Sequence, residues 1–352
     1  MVARRVTFAI PGDLETPTGG YGYARHVIAC LRKREWHVDV IDLGNGFPHP
    51  DAGQRALARE RLLSAPNDTP VVVDGLAFGA LPAEAREASS RHRLIALVHH
   101  PLALETGLPA AAAQAFRVSE MQALALTEHV IVTDHSTAAT LTADYGVARA
   151  RITVALPGAP RVASAQGSGT GTVCILAVGA VVPRKGYELL VAALAGLQDL
   201  AWQLTIAGDR TRSRASAAAI DALVDRAGLA QRISCTGAVS AARLDALYRG
   251  ADLFAQPSWF EGYGMALADA IAYGLPVIAT QTGAATKLVS AQAGLLVAPG
   301  DATALAAALR ALISDPDLRA RCRTAARIAA ANLPSWDDTA RAFEHVLTRV
   351  VA

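Results

Sequence analysis

A chain of 352 residues exceeds one ordinary hydrophobic core, so two domains are expected. Its 33 Lys+Arg against 31 Asp+Glu leave a formal net charge of +2, spread evenly over both halves, which excludes the strongly basic face of a nucleic-acid binder. No apolar run approaches the ~18 residues that span a bilayer. The cysteines Cys30, Cys174, Cys235 and Cys322 form no CxxC pair, which argues for free thiols in a reducing cytoplasm and against disulfides or zinc.

The basic start MVARR leaves only Val6 to Ile10 before Pro11, too short for the apolar segment of a signal peptide, and RVTFAI reads as a first strand. A glycine-bearing loop, PGDLETPTGGYG, leads into a helix over 21–34. WHVDVID, PVVVD, LIALVHH, HVIVT and RITVAL follow as strands, with helices over 110–126 and 136–145. Residues 157–172, PGAPRVASAQGSGTGT, form a low-complexity stretch read as a flexible linker. Its G-x-G-x-G precedes a strand instead of following one, which argues against a phosphate loop. The grammar then repeats with TVCILAV, WQLTIAG, RISCTG, DLFAQP and LPVIAT, separated by helices near 187–197, 215–228, 240–250 and 263–273. After residue 300 only helices are expected, the last from Ser335 returning to the first domain. Continuous β-branched runs between helices predict parallel sheets covered on both faces. The expected fold is therefore α/β, two Rossmann-like doubly wound domains facing a cleft, 1–160 plus 335–352 and 161–334. Ligands of such sheets bind at the carboxyl ends of the strands.

NAD is excluded by spacing: the third glycine after Gly20 and Gly22 would fall on Arg25, and GNG at 44–46 also lacks its third glycine. Gly19 and Gly20 still open a helix, which fits backbone contact with a phosphate or sugar and a merely tight turn equally. Arg25, Arg32, Lys33 and Arg34 cluster on that helix as a solvated end, with weak peripheral contact to a membrane surface as the alternative. His99 and His100 close LIALVHH at the end where ligands bind, and strand alternation sends the two imidazoles to opposite sides. In VGAVVPRKGYELL, Arg184 and Lys185 precede a helix, where cations oppose the helix dipole unless an anion lies between. Only three of the 33 Lys+Arg are lysines, so Lys185 points to a need for a compact ammonium. DPD at 315–317 has the Asp-x-Asp pattern of metal-dependent sugar-nucleotide enzymes, but it stands between two helices and reads as a cap. The histidines show no metal-ligand spacing.

The segment SWFEGYGMALADAIAYGLPVIAT, 258–280, reads as loop, helix, tight turn and strand. On one helix Glu261 and Asp269 would stand ~12 Å apart, beyond the ~5–9.5 Å of a glycosidase carboxylate pair. They suit hydroxyls at two ends of one extended ligand. The amides of Tyr263, Gly264 and Met265 between them suit a phosphate at a helix N-terminus. Hydroxyls, phosphate, hydroxyls describe a nucleotide sugar.

The run EGYGMALADAIAYGLPVIA, with VGAVVPRKG, YGV at 145–147 and SWDDTARAFEHVL, resembles the family 4 glycosyltransferases of the GT-B fold. The resemblance covers essentially the whole chain and is most specific over 172–300. It implies retaining, metal-independent transfer from a nucleoside-diphosphate sugar, with the first domain binding a hydroxyl acceptor and the second the donor. By resemblance Glu261 lies by the donor sugar, and Asp269, in place of the usual Glu, meets the ribose. Lys185 matches a lysine on the diphosphate, and Gly19 and Gly20 match a glycine-rich first loop. His99, in an H-x-P motif with His100 at the x, lies near the donor sugar. Gly262, Tyr263, Gly264 and Met265 complete the donor side. An arginine usual in VGR is Ala180 here, and Arg184 is the candidate to supply its charge. PLALETGLPAAAA, 101–113, with Glu105 as a hydroxyl ligand, and His100 are assigned to the acceptor. No metal, cofactor or nucleic acid is implied, and the expected location is the cytoplasm, extending to the inner face of the membrane. Two rivals share these features: a GT-B sugar-nucleotide 2-epimerase, and a sugar-nucleotide-binding protein without turnover, which the loss of arginine at Ala180 favours.

Overall fold

The computed structural model describes residues 4–351 apart from 68, 106 and 291. The chain divides into two compact units, Met1–Gly158 with Pro334–Ala352, and Ala159–Leu333. The boundaries expected from sequence lie two residues later at the first crossing and one later at the second.

The first unit holds six parallel strands: β1 (Arg5–Ile10), β2 (His37–Asp42), β3 (Val71–Asp74), β4 (Leu94–Val98), β5 (His129–Val132) and β6 (Ile152–Val154). Their order is β2-β1-β3-β4-β5-β6, so the winding reverses between β1 and β3. Val71, Val72 and Val73 are all 0% exposed, as a strand covered on both faces requires. The helices Ala52–Leu63, Gly75–Phe78 and Pro82–Ala88 were not foreseen. Charged and polar residues break up the first, and the other two span only four and seven residues, so no 3.6-residue stripe announces them.

The last helix, Trp336–Val351, belongs to this unit. Phe343 stacks on Phe8 at 6.1 Å, and the Thr339 hydroxyl donates to Leu156 O at 2.6 Å. Three of the four basic residues expected as a solvated helix end also brace this unit. Arg25 donates to Leu14 O and Thr16 O, Arg32 to Val38 O, and Arg34 to Glu344 and Asp337.

The second unit holds β7 (Val173–Val178), β8 (Trp202–Ala207), β9 (Ile233–Gly237), β10 (Leu253–Gln256), β11 (Val277–Thr280) and β12 (Gly294–Val297). The order β12-β11-β10-β7-β8-β9 reverses between β7 and β10. β12 was missed because its four residues, GLLV, start on a glycine. That glycine is required: a Cβ on Gly294 would meet Val277 O at 2.1 Å.

The supposed flexible linker is docked along this unit. Ala165 N donates to Tyr273 O, Gln166 N and Gly167 N to Arg249 O, and Ser168 N to Asp252 Oδ1. Small side chains there allow close backbone approach, for a Cβ on Gly167 would meet Asp252 Oδ1 at 2.4 Å. The Asp315 carboxylate accepts from Leu318 N at 2.8 Å and caps Pro316–Ala330, the role expected for DPD.

Candidate functional site

In the second unit two loops leave adjacent strands at the reversal point. After β7, Gly179 leads to a 3-10 turn Pro183–Lys185, and Gly186 (φ 65°) turns the chain into the helix Tyr187–Ala195. After β10, Pro257–Gly264 leads to the helix Met265–Ala272. The loops are tied together, since Trp259 N donates to Arg184 O at 2.8 Å and the Arg184 guanidinium to Phe260 O at 2.7 Å.

This tie brings the predicted charges onto one atom. Lys185 Nζ donates to Glu261 Oε1 at 2.5 Å, Ser258 Oγ donates to the same oxygen at 2.7 Å, and Arg184 Nη1 lies 3.4 Å from it. Lys185 is 9% and Glu261 8% exposed. Burial pushes the Glu261 carboxyl up, but the Lys185 and Arg184 charges and the hydrogen bonds from Lys185 and Ser258 outweigh it and hold the group below the usual range. The anion needed between these cations and the helix dipole is thus supplied in part by the chain. Two cations share one carboxylate, which leaves the carboxyl end of β7 and β10 positive.

Glu261 lies outside the helix, which starts at Met265, so the helical rise assumed for its separation from Asp269 does not apply. Gly264 is the N-cap at φ 81°, and the first turn of such a helix offers amides without intrahelical partners. Burial raises Asp269 to about 7. Burial first, and then the Asp269 charge, raise Tyr263 to about 12. The Tyr263 hydroxyl and Gln256 Oε1 are buried without hydrogen-bond partners. Gly262 stands between Glu261 and Tyr263 in the same loop.

In the first unit the helix Gly19–Lys33 begins two residues earlier than expected and is capped by Thr18, so Gly19 and Gly20 form its first turn. A Cβ on Gly20 would meet the His99 ring at 3.5 Å. β4 ends at Val98, so strand alternation does not govern His99 and His100. His100 is half-buried and Glu105 exposed, while Thr106, in the stretch assigned to an acceptor, lies outside the described residues. The buried carboxylate nearby is Glu120, which accepts from Leu102 N at 2.6 Å and Ala103 N at 3.2 Å and fixes the turn after His100. Ser258, Gln256, Asp74 and Glu120 were not singled out in the sequence. A polar residue closing an apolar strand was the available signal for Gln256 and Asp74.

Residues 162–329 match the family model described as glycosyl transferases group 1. Over this stretch, just under half of the chain, the sequence is that of the family 4 glycosyltransferases. It is 31% identical over 243 residues to the D-inositol 3-phosphate glycosyltransferase of Xylanimonas cellulosilytica, covering 64% of this chain and 58% of that relative. The chain thus spans little more than half the length of that curated relative. Among solved structures, sucrose-phosphate synthase of Thermosynechococcus elongatus matches with a TM-score of 0.83 at 20% identity, covering 98% of this chain and 99% of that one. Anabaena HepE in complex with UDP-glucose matches with a TM-score of 0.78 at 18% identity, covering 98% and 99%. At such identities the likeness shows the fold: two Rossmann-like units of the GT-B type. The cluster on Glu261 falls inside the matched stretch, and His99 and its neighbours fall outside it.

Proposed function

We propose that this chain transfers a sugar from a nucleoside-diphosphate donor to a hydroxyl acceptor, with retention at the anomeric carbon and without a metal ion. The observation that carries the reading is the buried cluster in which Lys185 and Arg184 share the single carboxylate of Glu261 beside a helix N-terminus. As the anomeric bond breaks, negative charge grows on the departing diphosphate. Lys185, Arg184 and the amides at Tyr263, Gly264 and Met265 stabilise it where a metal ion otherwise would. Glu261 faces the sugar, whose positive charge grows in the same step. The acceptor oxygen bonds to the anomeric carbon from the face the phosphate leaves, and its proton passes to the departing phosphate oxygen. Asp269 receives the ribose hydroxyls. By resemblance to the family, Gly19, Gly20 and His99 are assigned to the donor sugar, and His100 and Glu105 to the acceptor.

The UDP-glucose held by Anabaena HepE supports a nucleotide-sugar donor here. Free cysteines support a cytoplasmic location, and no helix among the described residues is long and apolar enough to cross a membrane. The test is a melting-point panel of nucleoside-diphosphate sugars with EDTA present, since a ligand that binds only the native state raises the transition. A hit is then assayed for transfer. Turnover should stay within about twofold on adding EDTA, given that Lys185 and Arg184 supply the charge. A large loss restored by manganese would sink the metal-free mechanism.

A further inference from the structure

β3 ends on Asp74, and His99 follows the last residue of β4. Asp74 is 3% exposed, and its Oδ1 accepts from Leu76 N at 2.9 Å, capping the short helix Gly75–Phe78. Capping occupies one oxygen only. The other, Oδ2, lies 3.7 Å from His99 Nε2, a nitrogen buried without a hydrogen-bond partner. The imidazole is held from two further sides. Tyr23 meets it edge-on at 5.2 Å and 85°, and Gly20 leaves room for it where a Cβ would lie 3.5 Å from the ring. The Tyr23 hydroxyl is committed to Ala155 O at 2.8 Å and does not compete for the ring nitrogens. The ends of β3 and β4 are pressed together as well, since a Cβ on Gly75 would meet Leu97 O at 2.9 Å.

We propose that Asp74 is a positioning residue for His99: its free oxygen keeps the imidazole proton on Nε2, so that Nδ1 is presented bare, as an acceptor for a ligand hydroxyl. A buried imidazole nitrogen without a partner is costly, and Asp74 Oδ2 is the acceptor within reach of His99 Nε2. The two nitrogens of a neutral imidazole take opposite roles, so fixing one fixes the other. Burial pushes the His99 imidazole down in pKa, and the Asp74 charge pushes it back up. Burial likewise pushes Asp74 up, while His99 and the Leu76 amide pull it down. Among the described residues, Asp74 is the charged group acting on the ring, and Tyr23 is the other titratable side chain packed against it. The identity of the hydroxyl rests on the sugar-transfer reading; the pair itself does not.

The experiment is Asp74→Asn in the full chain, labelled with ¹⁵N-histidine. Asparagine Oδ1 still has to accept from Leu76 N, which turns its NH2 toward His99 Nε2 and makes that nitrogen the acceptor. Long-range proton–nitrogen spectra, with His99 assigned through His99→Gln, should show the Nε2–H tautomer in the parent. The variant should show the Nδ1–H tautomer and a lower His99 pKa. A parent in the Nδ1–H form, or a variant whose tautomer and pKa match the parent, overturns the proposal without reference to turnover. Should the variant not fold, the parent tautomer alone decides. In the transfer assay Asp74→Asn should lower kcat about tenfold or more while donor KM stays within about twofold, and an unchanged kcat overturns the positioning role. A parent that turns over no donor sinks the sugar-transfer reading and leaves the tautomer result standing.

Discussion

Glu261 Oε1 carries an unusual load: an ammonium at 2.5 Å, a hydroxyl at 2.7 Å and a guanidinium at 3.4 Å. An arriving diphosphate can draw on both cations without stripping the carboxylate, because Ser258 still donates to it. Lys185→Ala should therefore lower kcat by about 10² or more, the scale of losing one preorganised charge-stabilising donor. Lys185→Arg should rescue only part, because Lys185 threads past Gly179, whose Cβ would lie 2.7 Å from Lys185 Cε, and a planar fork does not fit that passage. Arg184→Ala should cost about tenfold or more by the same charge-stabilising logic, if Arg184 supplies what Ala180 lacks. Wild-type kcat for Lys185→Ala at saturating donor would contradict the mechanism.

Asp269 behaves differently, because burial raises it from 3.8 to about 7 and no cation opposes the shift. A folded pKa above the unfolded one means that the native state holds the extra proton. The stability this contributes is complete below about 4 and is lost as pH rises to about 7. Relative to Asp269→Asn, the unliganded parent should thus lose urea resistance between pH 5 and pH 8. In the proposed donor complex ribose hydroxyls donate to the ionised form, so nucleotide binding should expel a proton near pH 7 and tighten as pH rises. Calorimetry in two buffers of different ionisation enthalpy reads this directly, and equal heats would remove Asp269 from the site. On the proposed placement of ribose and sugar, Asp269→Asn should act mainly on donor KM, whereas Glu261→Gln should act on kcat.

At the scale of elements, the site depends on how closely the ends of β7 and β8 approach. A Cβ on Gly208 would stand 1.9 Å from Gly179 O, a backbone atom that cannot yield without moving the loop that seats Lys185. Gly264 has only ordinary contacts, at 3.7 Å, so an alanine there meets its φ of 81° and little else. Gly264→Ala should cost about 1–2 kcal/mol. Gly208→Ala should cost clearly more and also lower kcat, with urea unfolding and a transfer assay as the measurements. Equal costs would mean that the strand ends are less tightly closed than the structure has them.

Gly264 was expected just before a helix N-terminus, but the close approach at Gly208 was not legible in the sequence, although the strands around both were. β1, β7 and β8 appear there as apolar β-branched runs bounded by turn residues, because a strand buried on both faces admits little else. Residues 157–172 carried no such run, and their composition suggested a flexible tether. What fixes them is backbone hydrogen bonding to Tyr273 and Arg249, about a hundred positions away, which composition does not encode. His99 and Glu261 were singled out through their chemistry and place, but strand alternation does not govern His99, and helical rise does not measure Glu261 against Asp269. β4 ends one residue before His99, and the helix after Glu261 starts four residues after it. Ends of elements are where side-chain pattern gives way to backbone detail.

At the scale of the whole molecule the two units differ in how the chain builds them. The second is one continuous stretch, Ala159–Leu333, while the first needs Pro334–Ala352 to return to it. On the returning helix Phe343 and Leu347 are 0% exposed and Val346 1%, packed where Phe8 and Tyr23 would otherwise face water. Fully burying each such side chain is worth roughly 1.5–3 kcal/mol, so losing the helix removes an amount comparable with the whole ~5–15 kcal/mol stability of a domain. Residues 159–333 expressed alone should therefore unfold in one cooperative urea transition. Their melting point should rise with a nucleoside diphosphate, because the Lys185, Arg184, Glu261 and Asp269 set lies wholly within that stretch. Residues 1–158 alone should show no cooperative transition, and joining 334–352 to them through a flexible linker should restore one. A folded 1–158 fragment would show that the returning helix is an accessory to the first unit. A second-unit fragment that folds but responds to no nucleoside diphosphate would show that the donor site is not contained in that unit.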